Sequence, residues 1–258
     1  MSRQWGFTLN IIEVSDEPFK DLPVWLGNRA TYFRILVDRL IPQSVDKVLY
    51  LDCDVIVMDS LAPLYETDLS GKYAAVVKEG TVHAHLPFEH PYFNAGMVLF
   101  NLKQYREDGV AEKAIQYGHK HLNKLRFNDQ DMFNLAFQGQ VVYVPYKWNL
   151  LEFHGSTQEL PLGIVHFNVR KPWRVGCVHM HKKVYWKYLV QTPYYKQVRQ
   201  EYYQTFLEPK RALKAFRRWV FRCRFSRHRF YVCLFGIRLC DWNHVTEPEA
   251  NLPPQGTG

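Results

Sequence analysis

The amino-acid sequence predicts an α/β fold with a mostly parallel sheet flanked by helices and a basic C-terminal tail. Three observations carry that expectation. β-rich stretches alternate with stretches whose apolar residues recur at helical spacing, the pattern of an α/β layer fold. Val48 to Leu51 form a near-continuous apolar run, which suits a parallel strand covered on both faces. The chain has 258 residues, 47% of them hydrophobic, enough for one sizeable core with a small appendage.

The elements follow in order. "FTLNIIEV" (7 to 14) alternates and is β-rich, so a strand is expected. "RATYFRILVDRLI" (29 to 41) spaces its apolar residues like a helix, and Pro42 stops it. "DKVLYLDCDVIV" reads as the next strand, followed by strands at "YAAVV" (73 to 77) and "AGMVLFNL" (95 to 102). Helices are expected over 109 to 122 and over 128 to 137, the second with Asn128 as N-cap. "VVYVP" and "GIVHF" complete the strands. A division into residues 1–205 and a basic tail 206–258 is expected.

No run of 18 apolar residues occurs, so no membrane-spanning helix is expected, and "MSRQWGFTLN" does not read as a signal peptide. The five cysteines, Cys53, Cys177, Cys223, Cys233 and Cys240, are scattered and include no C-x-x-C. A reducing compartment is the simplest expectation. The net charge of +8 is local: residues 209 to 229 hold nine Lys or Arg and no Asp or Glu, which leaves −1 elsewhere.

Four features gather chemistry. Asp52 and Asp54 end a strand one residue apart, where side chains point to one side. Such carboxylates could hold a divalent cation, or the strand could simply end in a polar turn. Asn94 precedes a strand, with Ala95 and Gly96 small enough for close approach to the backbone. Asp129, Gln130 and Asp131 sit in a first helical turn, where carboxylates also favour the macrodipole. His166 ends a strand, with Lys171 and Trp173 just beyond, and a satisfied core histidine is its alternative. Asn94 could be only a turn residue. His83, His85 and His90 read as a solvated loop over the site rather than as metal ligands.

The ordered stretches "TYFRIL", "DKVLYLDCDVIVMDSLAPLYETDLSGKY", "YFNAGMVLFNLKQYR", "FNDQDMFN" and "KPW" resemble glycosyltransferase family 8, retaining sugar transferases that include bacterial enzymes extending lipopolysaccharide core. The resemblance implies a GT-A, Rossmann-like fold. It implies that Asp52, Asp54 and His166 bind Mn²⁺ or Mg²⁺ gripping the diphosphate of a UDP-sugar. It places Asn94, Lys171, Arg34, Glu79 and Cys53 with the donor, and Gln130 and Asp129 at the reaction centre. The implied activity is metal-dependent hexosyl transfer, galactose or glucose, to lipopolysaccharide or a related glycolipid.

Three departures from the family pattern are expected to matter. Glu79 stands where the family usually has Asp. "FNVR", between His166 and Lys171, is one residue short and lacks a Gly. Only one strand–helix unit precedes the D-x-D, so the uridine-holding start is expected to be missing, and an inactive truncated remnant is the alternative reading.

"RALKAFRRWVFRCRF" reads as a basic amphipathic helix, with Leu213, Phe216, Trp219, Val220 and Cys223 on one face. Such a helix suits an anionic membrane interface, so a cytoplasmic protein, peripheral on the inner face of the cytoplasmic membrane, is expected. Nucleic-acid binding is the rival use of such a tail and is not expected, since the body offers no nucleic-acid module. "FYVCLFGIRL" is expected to double back as a hairpin.

Overall fold

The computed structural model describes residues 6–24, 29–80, 85–151, 162–168, 170–177, 179–207, 209–226, 229–234 and 237–243. Two compact units meet in the chain at Asn168/Val169. The compositional break at 205/206 lies inside the second unit, at the end of one of its helices.

The first unit begins without regular structure. Residues 7 to 14 form no strand, and Ile11 is 86% exposed. A β-prone sequence becomes a strand only against a pairing partner, and no described strand pairs with this one. The helix expected over 29 to 41 forms as a 3-10 segment, Ala30–Leu36, continuing into α1 (Val37–Leu40), and it buries Tyr32, Ile35 and Leu36. Then come β1 (Lys47–Leu51), β2 (Val55–Val57), α2 (Ala62–Tyr65), β3 (Ala74–Lys78) and β4 (Phe93–Asn101). α3 (Leu102–Glu107), α4 (Val110–Lys120), α5 (Asp129–Phe137), β5 (Val141–Tyr143) and β6 (Ile164–His166) complete the unit.

The fold is α/β as expected, but the main sheet is mixed rather than mostly parallel. Its order is β1-β4-β3-β5, with β1–β4 and β3–β4 antiparallel and β3–β5 parallel. The apolar run of β1 is half-buried, because β1 lies at the sheet's edge. The fully covered strand is β4, buried from Phe93 to Phe100. Its Phe100 meets Tyr105, Phe133 and Phe137 at centroid distances of 5.6 to 6.4 Å, the heart of the core. Asn128 occupies the N-cap position of α5 but makes no side-chain cap bond. The carboxylate of Asp131 instead accepts from the amides of Arg126 and Phe127. A second, two-stranded antiparallel sheet pairs β2 with β6, Val55 opposite His166.

The second unit holds α6 (Lys182–Leu189), α7 (Tyr195–Leu207) and α8 (Pro209–Val220), then β7 (Phe221–Ser226), β8 (Arg229–Leu234) and β9 (Ile237–Asn243). β8 and β9 pair antiparallel, the expected doubling back. The amphipathic helix is shorter than expected: it ends at Val220, and Cys223 lies in β7, paired with Val232. Residues 169–258 carry 18 Lys or Arg against 5 Asp or Glu, residues 1–168 carry 15 against 20, so the positive charge belongs to the second unit. Among the described residues no helix is long and apolar enough to cross a membrane.

Candidate functional site

Asp52 and Asp54 converge, though not by strand alternation. β1 stops at Leu51 and the chain turns through Cys53 before β2. The turn is anchored at both ends: the Asp52 amide donates to the Gly96 carbonyl of β4 (2.9 Å), and the Asp54 carbonyl accepts from the Phe167 amide beyond β6 (2.9 Å). One carboxylate is thus tied to each sheet, and His166, last residue of β6, stands between them. Its Nε2 lies 3.2 Å from Asp54 Oδ1 and 3.7 Å from Asp52 Oδ2. Ligand atoms of all three residues fall within 4.8 Å of one another. Two carboxylates and an imidazole form an oxygen-and-nitrogen donor set of the kind that suits Mn²⁺ or a similar divalent ion, so the residues fit the expected metal.

Arg34 organises the acidic side of the site. Its guanidinium is buried and forms ion pairs with Asp52 Oδ1 (3.0 Å) and Asp129 Oδ2 (2.9 Å). It also donates to the Ala95 carbonyl (2.6 Å) and lies over the Tyr50 ring at 4.6 Å. Tyr50 in turn donates to Asp52 Oδ1 (2.7 Å). Burial pushes the carboxyl of Asp129 up to about 6, with Asp52 adding to the rise, while Arg34 opposes it. Asp129 is therefore an interior partner of Arg34, more than a helix-terminal charge.

A second group of polar residues lies along β4 and α5. Gln130 Oε1 accepts from the Asn94 side-chain amide and from the Ala95 backbone amide, each at 3.0 Å. Gln130 Nε2 donates to Glu79 Oε2 (3.3 Å) and to the Tyr92 hydroxyl (3.1 Å). Glu79, which stands where the family usually has Asp, thus reaches Gln130. Asn94 is no mere turn residue: it is buried and bonded on both its amide and its carbonyl. Sequence reasoning missed two members of this group. Asn149, fully buried at the end of a 3-10 turn (Tyr146–Asn149), bonds both His166 Nδ1 (2.8 Å) and Asn94 Oδ1 (2.9 Å). Tyr92 joins Gln130 to Asp131. Asn149 lies outside every motif quoted above, and Tyr92 opens "YFNAGMVLFNLKQYR" without anything in that stretch marking its hydroxyl.

The remaining candidates separate. Cys53 is exposed at the tip of the turn. Lys171 lies in the second unit, its ammonium 6.0 Å from the Trp173 ring centroid. His85 is not solvated: its ring is buried, with Nε2 3.0 Å from Asp131 Oδ2. His90 Nε2 bonds the Asn134 carbonyl at 2.8 Å. His83 lies outside the described residues.

Comparison with known proteins agrees with this geometry. The chain is 26% identical over 189 residues to general stress protein A of Bacillus subtilis, covering 64% of this chain and 66% of that protein. It is 26% identical over 209 residues to a lipopolysaccharide 1,2-glucosyltransferase of Escherichia coli K12, covering 72% and 61%. The chain thus spans less than two thirds of the length of these relatives. Among solved structures, the galactosyltransferase LgtC in complex with donor and acceptor sugar analogs superimposes with a TM-score of 0.59 at 26% identity, covering 67% of this chain and 72% of that one. GlyE of Streptococcus pneumoniae TIGR4 gives 0.54 at 26% identity, covering 67% and 45%. These are glycosyltransferases of the GT-A fold. Residues 25–177, more than half of the sequence, match the profile of glycosyl transferase family 8, and the chain belongs to that family.

Proposed function

We propose that this chain is a retaining hexosyltransferase that moves galactose or glucose from a UDP-sugar to a hydroxyl of lipopolysaccharide or a related glycolipid. The observation that carries the reading is the convergence of Asp52, Asp54 and His166 within 4.8 Å in a chain of this family. These three residues would hold Mn²⁺ or Mg²⁺, which when bound supplies Lewis-acid charge to the leaving diphosphate.

The chain's own residues would act as follows. Arg34 pairs with Asp52, keeps it aimed into the site, and holds Asp129 beside it. Asn94, Gln130 and Glu79 present amide and carboxylate groups to the hydroxyls of the donor sugar. Retention follows from front-face displacement: the bond from the anomeric carbon to UDP breaks, the bond to the acceptor oxygen forms on the same face, and the leaving diphosphate takes the acceptor proton. A covalent role for Gln130 is disfavoured, because its Oε1 already accepts two hydrogen bonds. Lys171 would add positive charge near the diphosphate.

The acceptor class and a site of action at the inner face of the cytoplasmic membrane are supported by α8. Leu213, Phe216 and Trp219 recur at three-residue spacing along that helix and are all exposed, in the strongly basic unit.

The test is calorimetric titration of UDP with Mn²⁺ into the protein and into Asp54→Asn, followed by UDP-hexose turnover with a glycolipid acceptor. Metal-dependent binding by the parent and none by the variant is expected. Equal binding by both would sink the metal assignment. Binding without turnover would leave a nucleotide-sugar-binding protein in place of a transferase.

A further inference from the structure

The backbone amide of Gly96 sets the direction of a hydrogen-bond chain that ends on the His166 ring. A backbone N–H can only donate, so the atom it meets must be an acceptor. The Gly96 amide meets Asn94 Oδ1 at 2.9 Å, which makes that atom the carbonyl oxygen and turns the Asn94 amide nitrogen toward Gln130. The Ala95 amide fixes Gln130 Oε1 as an acceptor in the same way, so the two assignments agree. Asn149 also meets Asn94 Oδ1, at 2.9 Å, and must therefore present its NH₂ there. Its own oxygen is then left to face His166 Nδ1 at 2.8 Å. An oxygen accepts, so Nδ1 carries the proton and the neutral ring's lone pair lies on Nε2. That is the nitrogen aimed at Asp52 and Asp54.

We infer that Asn149 is a positioning residue: it holds His166 in the tautomer able to ligate a cation, and it ties that ligand to the Asn94–Gln130 pair that faces the donor sugar. The inference rests on the metal reading proposed above. Asn149 is placed for the task by main-chain bonds beside it. The Leu150 amide donates to the Ile164 carbonyl (2.8 Å), and the His166 amide donates to the Leu150 carbonyl (3.0 Å), so Asn149 and His166 are held in fixed register. Asn149 is fully buried, and both ends of its amide are used, so rotation about its terminal bond would break two hydrogen bonds and oppose like atoms at both. The side-chain bonds of Asn149 go to His166 and Asn94. It acts through those two residues.

The experiment separates its two ends. Asn149→Leu removes both bonds at similar volume. Asn149→Asp keeps an acceptor for Nδ1–H but turns a carboxylate oxygen toward Asn94 Oδ1. Mn²⁺ affinity is read from the spectrum of free aqueous Mn²⁺ without nucleotide, and the ratio of UDP-hexose to UDP affinity is read by calorimetry. Asn149→Leu should bind Mn²⁺ about 10- to 100-fold more weakly. Asn149→Asp should keep the parent's Mn²⁺ affinity and lose the preference for UDP-hexose over UDP. An Asn149→Leu protein that binds Mn²⁺ like the parent overturns the inference, as does an Asn149→Asp protein that keeps the sugar preference. Failure of the parent itself to bind Mn²⁺ overturns the metal reading and the inference with it. Should the leucine variant not fold, ¹⁵N shifts of the neutral His166 ring in the parent decide alone: a proton on Nδ1 is expected, and a proton on Nε2 overturns the assignment.

Discussion

Gly96 lies so close to His166 that a Cβ there would stand 2.2 Å from the ring's Cε1 and 2.7 Å from Nδ1. No real Cβ approaches an atom so closely, and the ring cannot retreat without leaving Asn149. Gly96→Ala should therefore disable the proposed ion site while sparing the fold, because the displaced atoms belong to one side chain. A fall in Mn²⁺ affinity of about tenfold or more is expected. Unchanged affinity with an intact circular dichroism spectrum would show that the ring has room.

The pairing of Arg34 with Asp129 predicts a pH dependence. The Asp129 carboxyl is raised from 3.8 to about 6, chiefly by burial. The folded chain then holds this proton more tightly than the unfolded chain does. Stability from this group is fully present below 3.8 and is lost as pH rises through about 6. Asp129→Asn lacks the effect, so its melting temperature should improve relative to the parent's as pH climbs through that window. Removing the opposing cation with Arg34→Met should move the Asp129 midpoint higher still. Carboxyl ¹³C titration gives the midpoint directly, and a value near 3.8 would refute the prediction.

Four groups converge on the Asp131 carboxylate. It is fully buried and accepts from the Tyr92 hydroxyl (2.5 Å) and from the amides of Arg126 and Phe127, with His85 at 3.0 Å. Asp131→Ala leaves those groups buried and unpaired, and should cost about 3–5 kcal/mol in urea unfolding. Asp131→Asn keeps one acceptor oxygen and should cost less. A loss below about 1 kcal/mol for the alanine variant would mean that water replaces the carboxylate.

The proposed electrostatic attachment of α8 to anionic lipid predicts that co-sedimentation with phosphatidylglycerol vesicles weakens as salt rises, since exposed charges are screened beyond about 8 Å at physiological ionic strength. Replacing Phe216 and Trp219 by Ser should weaken binding at every salt concentration. Equal binding to neutral and anionic vesicles would count against the attachment.

Asp52, Asp54 and His166 stood out in the sequence because carboxylates beside "YLDCDVIV" and an imidazole beside "GIVHF" are costly unless used, while their grouping as one set came from the resemblance to the family. Most elements were legible for a similar reason, since periodicity records which face is buried. The direction of the strands was not. An apolar run says that a strand is covered, not which neighbour it pairs with, and β1 pairs antiparallel with β4 at a sheet edge. Residues 7 to 14 show the converse error, β-prone side chains without a partner strand. The roles of Asn149 and Tyr92 were invisible, although Tyr92 opens a quoted motif, because their importance lies in whom they touch across 17 to 55 residues of chain.

The register of β3 against β4 slips between Val76, opposite Val98, and Val77, opposite Asn94. That slip takes the amides of Ala95 and Gly96 out of the ladder and gives them to Gln130 and Asn94, while their carbonyls receive Arg34 and the Asp52 amide. The polypeptide thread itself supplies the polar groups at this point, and a side-chain change other than to proline leaves them in place. In a saturation scan only proline at position 95 would remove the amide, and its ring would change bulk and backbone at the same time. Replacing that one peptide link by an ester, through chemical ligation, would remove the Ala95 N–H and leave the side chain as it is.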